Sequence, residues 1–392
     1  MQSGANVTLV NQGNASFNGS SSRTGSLTFA GNYDTSGTTY SLDTVAVNDG
    51  VTLTVDEDTE ANTFNVGQGT SGIVNHTANT VSVTDLNINA GAAYNLNGSG
   101  DIDATNMAIG AGSSLNVNQT GNTTIASTIS GAGAITKAGA GTLTLSGTNT
   151  FSGGAAVAGG TLSLQSNTAA GSGSITTTDS VIDYANGVDI TNPIILNSNT
   201  TQLQVLTGSA TQSGIISETG GSRPIKKIGA GKLILSGANT YAGETHVSAG
   251  TLELGHASGL GTGGNLRING ILDLGGFTVT KNSIIIQNGT TQNGTFNQTN
   301  NTQIQNATVN TIMSGVGGII SIGAGTSTLS AANTYTGNTQ FNAGTIKVSA
   351  DNNLGDTSSD LIFDGGALQT TATFATSRAT TLNAGGGNNI DP

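Results

Sequence analysis

The chain has 392 residues, none of them Cys, so disulfides, thiolate catalysis and cysteine metal sites are excluded. A net charge of −12 with only 10 Lys and Arg disfavours a nucleic-acid partner, because phosphate binding needs clustered cations. Charged residues are 8% and Gly numbers 60, while Val, Ile and Thr recur throughout. That is strand composition with frequent turns, and it differs from the highly charged, β-branched-poor composition of disordered chains.

Read from the N-terminus, Met1 to Asn6 has no basic region and no apolar core, so no signal peptide is visible. No stretch approaches about 18 apolar residues, so no membrane-spanning helix is expected. A short pattern begins at Val47-Asn48-Asp49-Gly50-Val51-Thr52-Leu53 and returns from Val66, Ile88 and Ile109, in steps of 19, 22 and 21 residues. Between the first two lies the acidic run Asp56-Glu57-Asp58-Thr59-Glu60. It lacks the alternating Asp/Asn and Gly of a calcium loop and reads as an exposed loop inserted between coils. Gly67-Gln68-Gly69-Thr70-Ser71-Gly72 has the glycine spacing of a dinucleotide fingerprint. The β-like Ile73-Val74-Asn75 that follows makes it a corner instead.

From Gly139 a 26-residue phrase occurs three times without gaps: Gly139–Leu164, Gly229–Leu254 and Gly323–Val348. The offsets are 90 and 94, and ten positions are identical in all three copies. Within it apolar residues alternate, as in Leu143-Thr144-Leu145 and Leu252-Glu253-Leu254, which is the period of a strand with one buried face. Leu143 to Leu162, Leu233 to Leu252 and Leu252 to Leu272 are steps of 19, 19 and 20. A step of about 20 residues is one coil of two or three short strands, which buries its inner face only by stacking on the next. Such a chain is all-β, a parallel β-solenoid with Leu, Ile and Val inside, Thr, Asn and Ser outside and Gly at the corners. About 18 coils at about 4.8 Å each predict one elongated rod near 85 Å long. Leu143, Leu145, Leu162, Leu164, Leu233, Leu235, Leu252, Leu254, Leu272 and Leu274 are expected inside, with their intervening partners outside. Ser327, standing where the other copies have Leu143 and Leu233, predicts a poorly filled inner position. Asn149, Asn239 and Asn333 are expected to bond the local backbone of their turns, being several coils apart.

The phrase resembles the passenger-associated transport repeat, also called the autotransporter-associated β-strand repeat. The residues carrying the resemblance are Gly139-Ala140-Gly141-Thr142-Leu143-Thr144-Leu145-Ser146-Gly147, Asn149-Thr150-Phe151-Ser152-Gly153 and Gly160-Thr161-Leu162 with their counterparts, and a trailing Leu260-Gly261 and Leu354-Gly355. The resemblance implies a right-handed parallel β-helix in the passenger of a Gram-negative autotransporter. It implies export through an outer-membrane translocator barrel absent from this chain, and a repeat that serves secretion and folding. The residues divide as N-terminal coils 1–128, then segments 129–215, 216–311 and 312–392 with one repeat each. The last segment reads as stopping within a coil at Asn389-Ile390-Asp391-Pro392, hence as a fragment expected to fray at that end.

Chemistry is thin. His76, His246 and His256 read as surface histidines, with Glu244 near but no third ligand to make a zinc site. Arg223, Lys226, Lys227 and Lys232 read as a solvated patch, and Gly229-Ala230-Gly231-Lys232 departs from a phosphate loop because Leu233 replaces its Ser/Thr. No Gly-x-Ser-x-Gly elbow is present. The expected function is a surface-exposed stalk or adhesin-like passenger that is not an enzyme, with no catalytic residue, cofactor or metal. Its partner is a protein or glycan of a host or neighbouring cell. The alternative is a polysaccharide-acting β-helix, for which Asp101, Asp103, Asp183, Asp189 and Asp273 are the candidate carboxylates, none recurring at coil spacing. Ice binding through Thr ladders fails for the same want of persistence.

Overall fold

Short apolar alternations closed off by Gly and Asn leave little choice but brief strands joined by tight corners. The computed structural model describes residues 7–9, 26–29, 33–34, 40–383 and 389–391. Apart from one 3₁₀ turn, Asp351–Leu354, the regular elements among them are strands of two to nine residues. Every pairing between them is parallel. No helix among the described residues is long and apolar enough to cross a membrane. Met1 to Asn6 and the greater part of 384–392 lie outside the described residues, so the readings made at the two ends are not addressed.

The chain divides into two units, Met1–Thr201 and Gln202–Pro392, and each is a β-solenoid. In the first unit one sheet runs through Tyr40–Val47, Thr59–Val66, Thr80–Ile88, Asp101–Ile109 and Thr128–Ser130. A second runs through Thr52–Val55, Ile73–His76, Ala93–Leu96, Ser114–Val117, Ala134–Lys137 and Ala155–Val157. A third starts at Thr123–Ile125 and continues through Thr142–Leu145, Thr161–Leu164 and Val181–Tyr184. The chain visits the sheets in turn, so each strand pairs with one a coil away. The second unit repeats this scheme, with Thr278–Lys281, Thr295–Gln298 and Ile312–Gly315 forming a short extra sheet. The turns come to about 17, at about 20 residues each.

The register follows the sequence periods. Val47, Val66, Ile88 and Ile109 are successive partners. So are Leu143 and Leu162, and Leu233, Leu252 and Leu272. All ten leucines expected inside are buried. Aromatic rings also stack between coils: Phe341 and its register partner Phe363 lie 4.3 Å apart with planes 4° apart.

Several expectations need correction. Two of the partners expected outside are buried: Ser163, which donates to Asp183 Oδ2 at 2.7 Å, and Asp273. The acidic run is a corner leading into the strand Thr59–Val66, not an inserted loop, and Asp58 Oδ1 accepts the Thr80 N–H at 3.0 Å. Ser327 is inside, yet its hydroxyl accepts the Ala307 N–H at 3.2 Å, so the position is filled by a hydrogen bond.

Candidate functional site

The three phrases build one device three times. In each, the strand is interrupted by an Asn-Thr pair, which breaks the ladder to the coil below. The asparagine side chain restores the missing rung. Asn149 Oδ1 accepts the Ile129 N–H at 2.8 Å, while the Thr150 N–H donates to Ile129 O at 2.8 Å. Asn239 and Thr240 hold Ile216 in the same way, at 2.8 and 2.9 Å. Asn333 and Thr334 hold Met313, again at 2.8 and 2.9 Å. Each amide then donates upward through Nδ2: to Ala169 O at 2.7 Å, Gly259 O at 2.7 Å and Asn353 O at 2.6 Å. One buried side chain thus ties its own coil to both neighbours. The expectation of bonds within the turn is corrected: the partners lie 20 or more residues away in sequence.

Two residues on, an aromatic ring is wholly buried: Phe151, Tyr241 and Tyr335. Its backbone carbonyl accepts the N–H of Ser172, Thr262 or Asp356 from the coil above, at 2.8 Å each. The residue just before that donor is Gly171, Gly261 or Gly355, at φ +63°, +60° and +88°. A side chain there would run into the ring or its carbonyl in all three copies. This explains the glycine of the trailing Leu-Gly: only a residue without Cβ fits over the ring at positive φ.

The ring also selects its neighbour four residues on. Tyr241 OH bonds Thr245 Oγ1 at 2.7 Å, and Tyr335 OH bonds Thr339 Oγ1 at 2.7 Å. The first copy has Phe151, without a hydroxyl, and there Ala155 takes the threonine's place. A buried hydroxyl needs a partner, so both appear or neither does. The spacing was visible in the sequence; its meaning emerged only from the contact.

A buried lysine seals the corner in two copies. Lys227 is 1% exposed, and its Nζ donates to Ile228 O, Gly229 O, Gly231 O and Ala249 O at 2.8 to 3.3 Å. Lys137, its counterpart, reaches Gly139 O and Gly159 O. Ser321 stands there in the third copy. Burial holds the Lys227 ammonium down at about 8 and moves Lys137 in the same direction. Reading Lys227 as part of a solvated patch is therefore wrong: it points inward, and only Arg223, Lys226 and Lys232 are partly exposed. Lys232 pairs with Glu253 at 2.8 Å.

Elsewhere, motifs that suggested ligands are occupied by the chain itself. The corner Gly67 to Gly72 does bind an anion, namely the Asp49 carboxylate. Its Oδ1 accepts the N–H groups of Gln68, Gly69, Thr70 and Ser71 at 2.8 to 3.2 Å. The Gln68 and Ser71 amides, above all, hold the Asp49 carboxyl at about 2. His76 is fully buried, contrary to the surface reading, with Tyr94 OH at 2.9 Å from Nδ1 and the Ala78 and Asn79 carbonyls at 3.0 Å from Nε2. His246 bonds Asn269, and His256 accepts the Ser258 N–H. Of the candidate carboxylates, Asp183 takes Ser163, and Asp273 takes Gln292, Asn293 and the Gly275 N–H. Asp101 takes the Thr123 hydroxyl.

Comparison with known proteins agrees with this device. Residues 135–164, 225–254 and 322–348 match the family described as Passenger-associated-transport-repeat. A stretch of 80 residues is 51% identical to a protein of Brucella suis biovar 1 (strain 1330) named "Adhesin BmaC autotransporter". The stretch covers 20% of this chain and 2% of that relative's length. No solved structure matches the chain. The matched segments contain the three clamp asparagines and their rings, with the glycines over the rings lying just beyond them, and over these segments the chain is similar to autotransporter passengers that carry passenger-associated-transport-repeats.

Proposed function

We propose that the chain forms a surface-exposed β-solenoid stalk with an adhesin-like role, on or released from a Gram-negative cell. Its coils carry contact surface for a protein or glycan of another cell, and its repeats assist export and folding. The observation that carries this is the clamp: an asparagine tying three successive coils recurs in all three copies of the repeat in this chain, with the same distances, and these copies match a transport-repeat family. Such a latch closes only when the coils on both sides are in place, which suits a chain that folds coil by coil. The name of the Brucella relative supports the adhesin side of the reading. In the same reading, coils 1–128 lead and segments 129–215, 216–311 and 312–392 each hold one repeat. The export partner is an outer-membrane barrel, and no catalytic step is assigned.

The test is surface display. The chain is fused between a signal peptide and a translocator barrel, and intact cells are probed with antibody and protease. The wild type should reach the surface. The triple variant Asn149→Ala, Asn239→Ala, Asn333→Ala should show a severalfold smaller displayed fraction at equal synthesis. Periplasmic retention of the wild type defeats the surface reading, and equal display of the triple variant defeats the role given to the repeats.

A further inference from the structure

The first unit holds a cleft that lies before the first repeat. It opens between two successive corners, 98–101 and 119–124, and has a volume of about 640 Å³. Its lining mixes polar and apolar surface: Asp101, Gln119, Asn122 and the side chains of Ser99, Thr120, Thr123 and Thr124, with glycines between them. Gln119 is 5% exposed and half-satisfied. Its Nε2 donates to Gly100 O, but its Oε1 meets no donor. Elsewhere the chain fills this need: Gln298, equally buried, donates through Nε2 to Gly317 O at 3.1 Å and accepts the Thr302 hydroxyl at Oε1. A buried acceptor without a donor costs free energy until one arrives.

The orphan acceptor has company. The Gly100–Asp101 peptide is pinned on both sides, its O by Gln119 and the Asp101 N–H by Asn79 O at 2.8 Å. The exposed Asp101 side chain therefore starts one peptide bond from the Gln119 amide. The wider field is anionic: residues 40–136 contain nine Asp and Glu and no Lys or Arg. An anionic ligand is repelled there. A divalent cation is a poor match, because calcium collects six to eight oxygens, usually with several carboxylates, and the lining supplies one. A ligand that fits donates to Asp101 and Gln119, accepts from Ser, Thr and Asn, and is larger than an ion.

We infer that this cleft binds a neutral sugar residue. Sugar hydroxyls donate and accept at once, matching a wall of mixed polarity, and the volume accommodates a pyranose ring. The inference rests on the surface-exposed reading for its setting, since a sugar of a neighbouring cell is met only there. Its test does not, because it uses the purified full chain in solution.

Amide chemical shifts are followed while N-acetylglucosamine, galactose and mannose are each added to tens of millimolar, with glucuronate and calcium as comparisons. At least one neutral sugar should shift the amides of 98–101 and 119–124, and glucuronate should not. Asp101→Asn lies on the surface and leaves the coil intact; it should weaken the sugar response about tenfold. Gln119→Met should do the same, with an unchanged amide spectrum outside the two corners confirming the fold. No shift with any neutral sugar, a stronger response to glucuronate or calcium, or an Asp101→Asn variant that binds as well as the parent overturns the assignment.

Discussion

Asn239 shows how much one side chain can carry. Replacing it with Ala leaves the Ile216 N–H and the Gly259 O buried without their partners. Each orphaned group costs about 1–3 kcal/mol, so Asn239→Ala should lose about 2–6 kcal/mol in urea unfolding of the second unit. A loss below 1 kcal/mol, within the usual range of surface changes, would contradict the clamp. The ring pair gives a sharper test because the chain contains both solutions. Tyr241→Phe strands the Thr245 hydroxyl and Thr245→Ala strands the Tyr241 hydroxyl, each at about 1–2 kcal/mol. Together they recreate the Phe151 and Ala155 combination. The double variant should therefore cost less than the sum of the singles, by about 1 kcal/mol in a double-mutant cycle. Strict additivity would show that the two residues do not sense each other.

At the scale of one coil, the strand Thr251–Leu254 puts Leu252 and Leu254 inside and leaves Thr251 and Glu253 half-exposed. Leu252 touches Leu233 below and Leu272 above in register. A carboxylate there has no partner, so Leu252→Asp should cost several kcal/mol and melt the adjoining coils first. Thr251→Asp should stay within about 1 kcal/mol. Hydrogen exchange reads both, and equal effects would mean the register is wrong. This register was legible in the sequence, because alternation decides which face is buried and the repeat steps decide which residues meet. What escaped was the polar interior. Lys227, His76 and Ser163 are buried against the rule that charged and polar groups stay outside; Lys227 is retained by carbonyls of its own corner and one a coil away, His76 and Ser163 by partners a coil away. Sequence periodicity tells which residues stack, but not which corner carbonyls converge on an ammonium. The clamp sits between these cases: its asparagine stood out by position, while its two-sided reach depends on the spacing between coils.

Across the whole chain, stability is a sum of neighbour terms, and its pH profile should show their signs. Asp49 has a folded value of about 2 against 3.8 for the free group, so its contribution is present above 3.8 and is lost as pH falls towards 2. Burial lowers His76 below 6.5, so protonation in the unfolded chain also costs stability below that pH. Lys227 and Lys281 are both held at about 8 against 10.5. Between those values the unfolded chain binds protons that the folded chain does not, so stability rises with pH through that window. Tyr94, Tyr184, Tyr241 and Tyr335 act in reverse: burial pushes them above 10, and stability falls once pH passes 10. Unfolding free energy should therefore climb from about pH 8, turn over near pH 10 and drop beyond. Lys227→Met with Lys281→Met should flatten the climb and leave the drop. A monotonic decline from pH 8 in the parent would show that the lysines are solvated after all.

The matched ring and neighbour bear on how such a chain can change over generations. Three stretches that share one ungapped 26-residue register can exchange with one another, and an exchange between copies keeps the length of the phrase. A breakpoint before the ring or after its neighbour keeps the two together. A breakpoint between positions 151 and 155 does not, when the first copy exchanges with the second. It produces Phe with Thr or Tyr with Ala, and either hybrid buries one hydroxyl with nothing to bond. Five codons are thus inherited as a block in such exchanges, and shuffling between the first and second copies should be found on either side of them but not within.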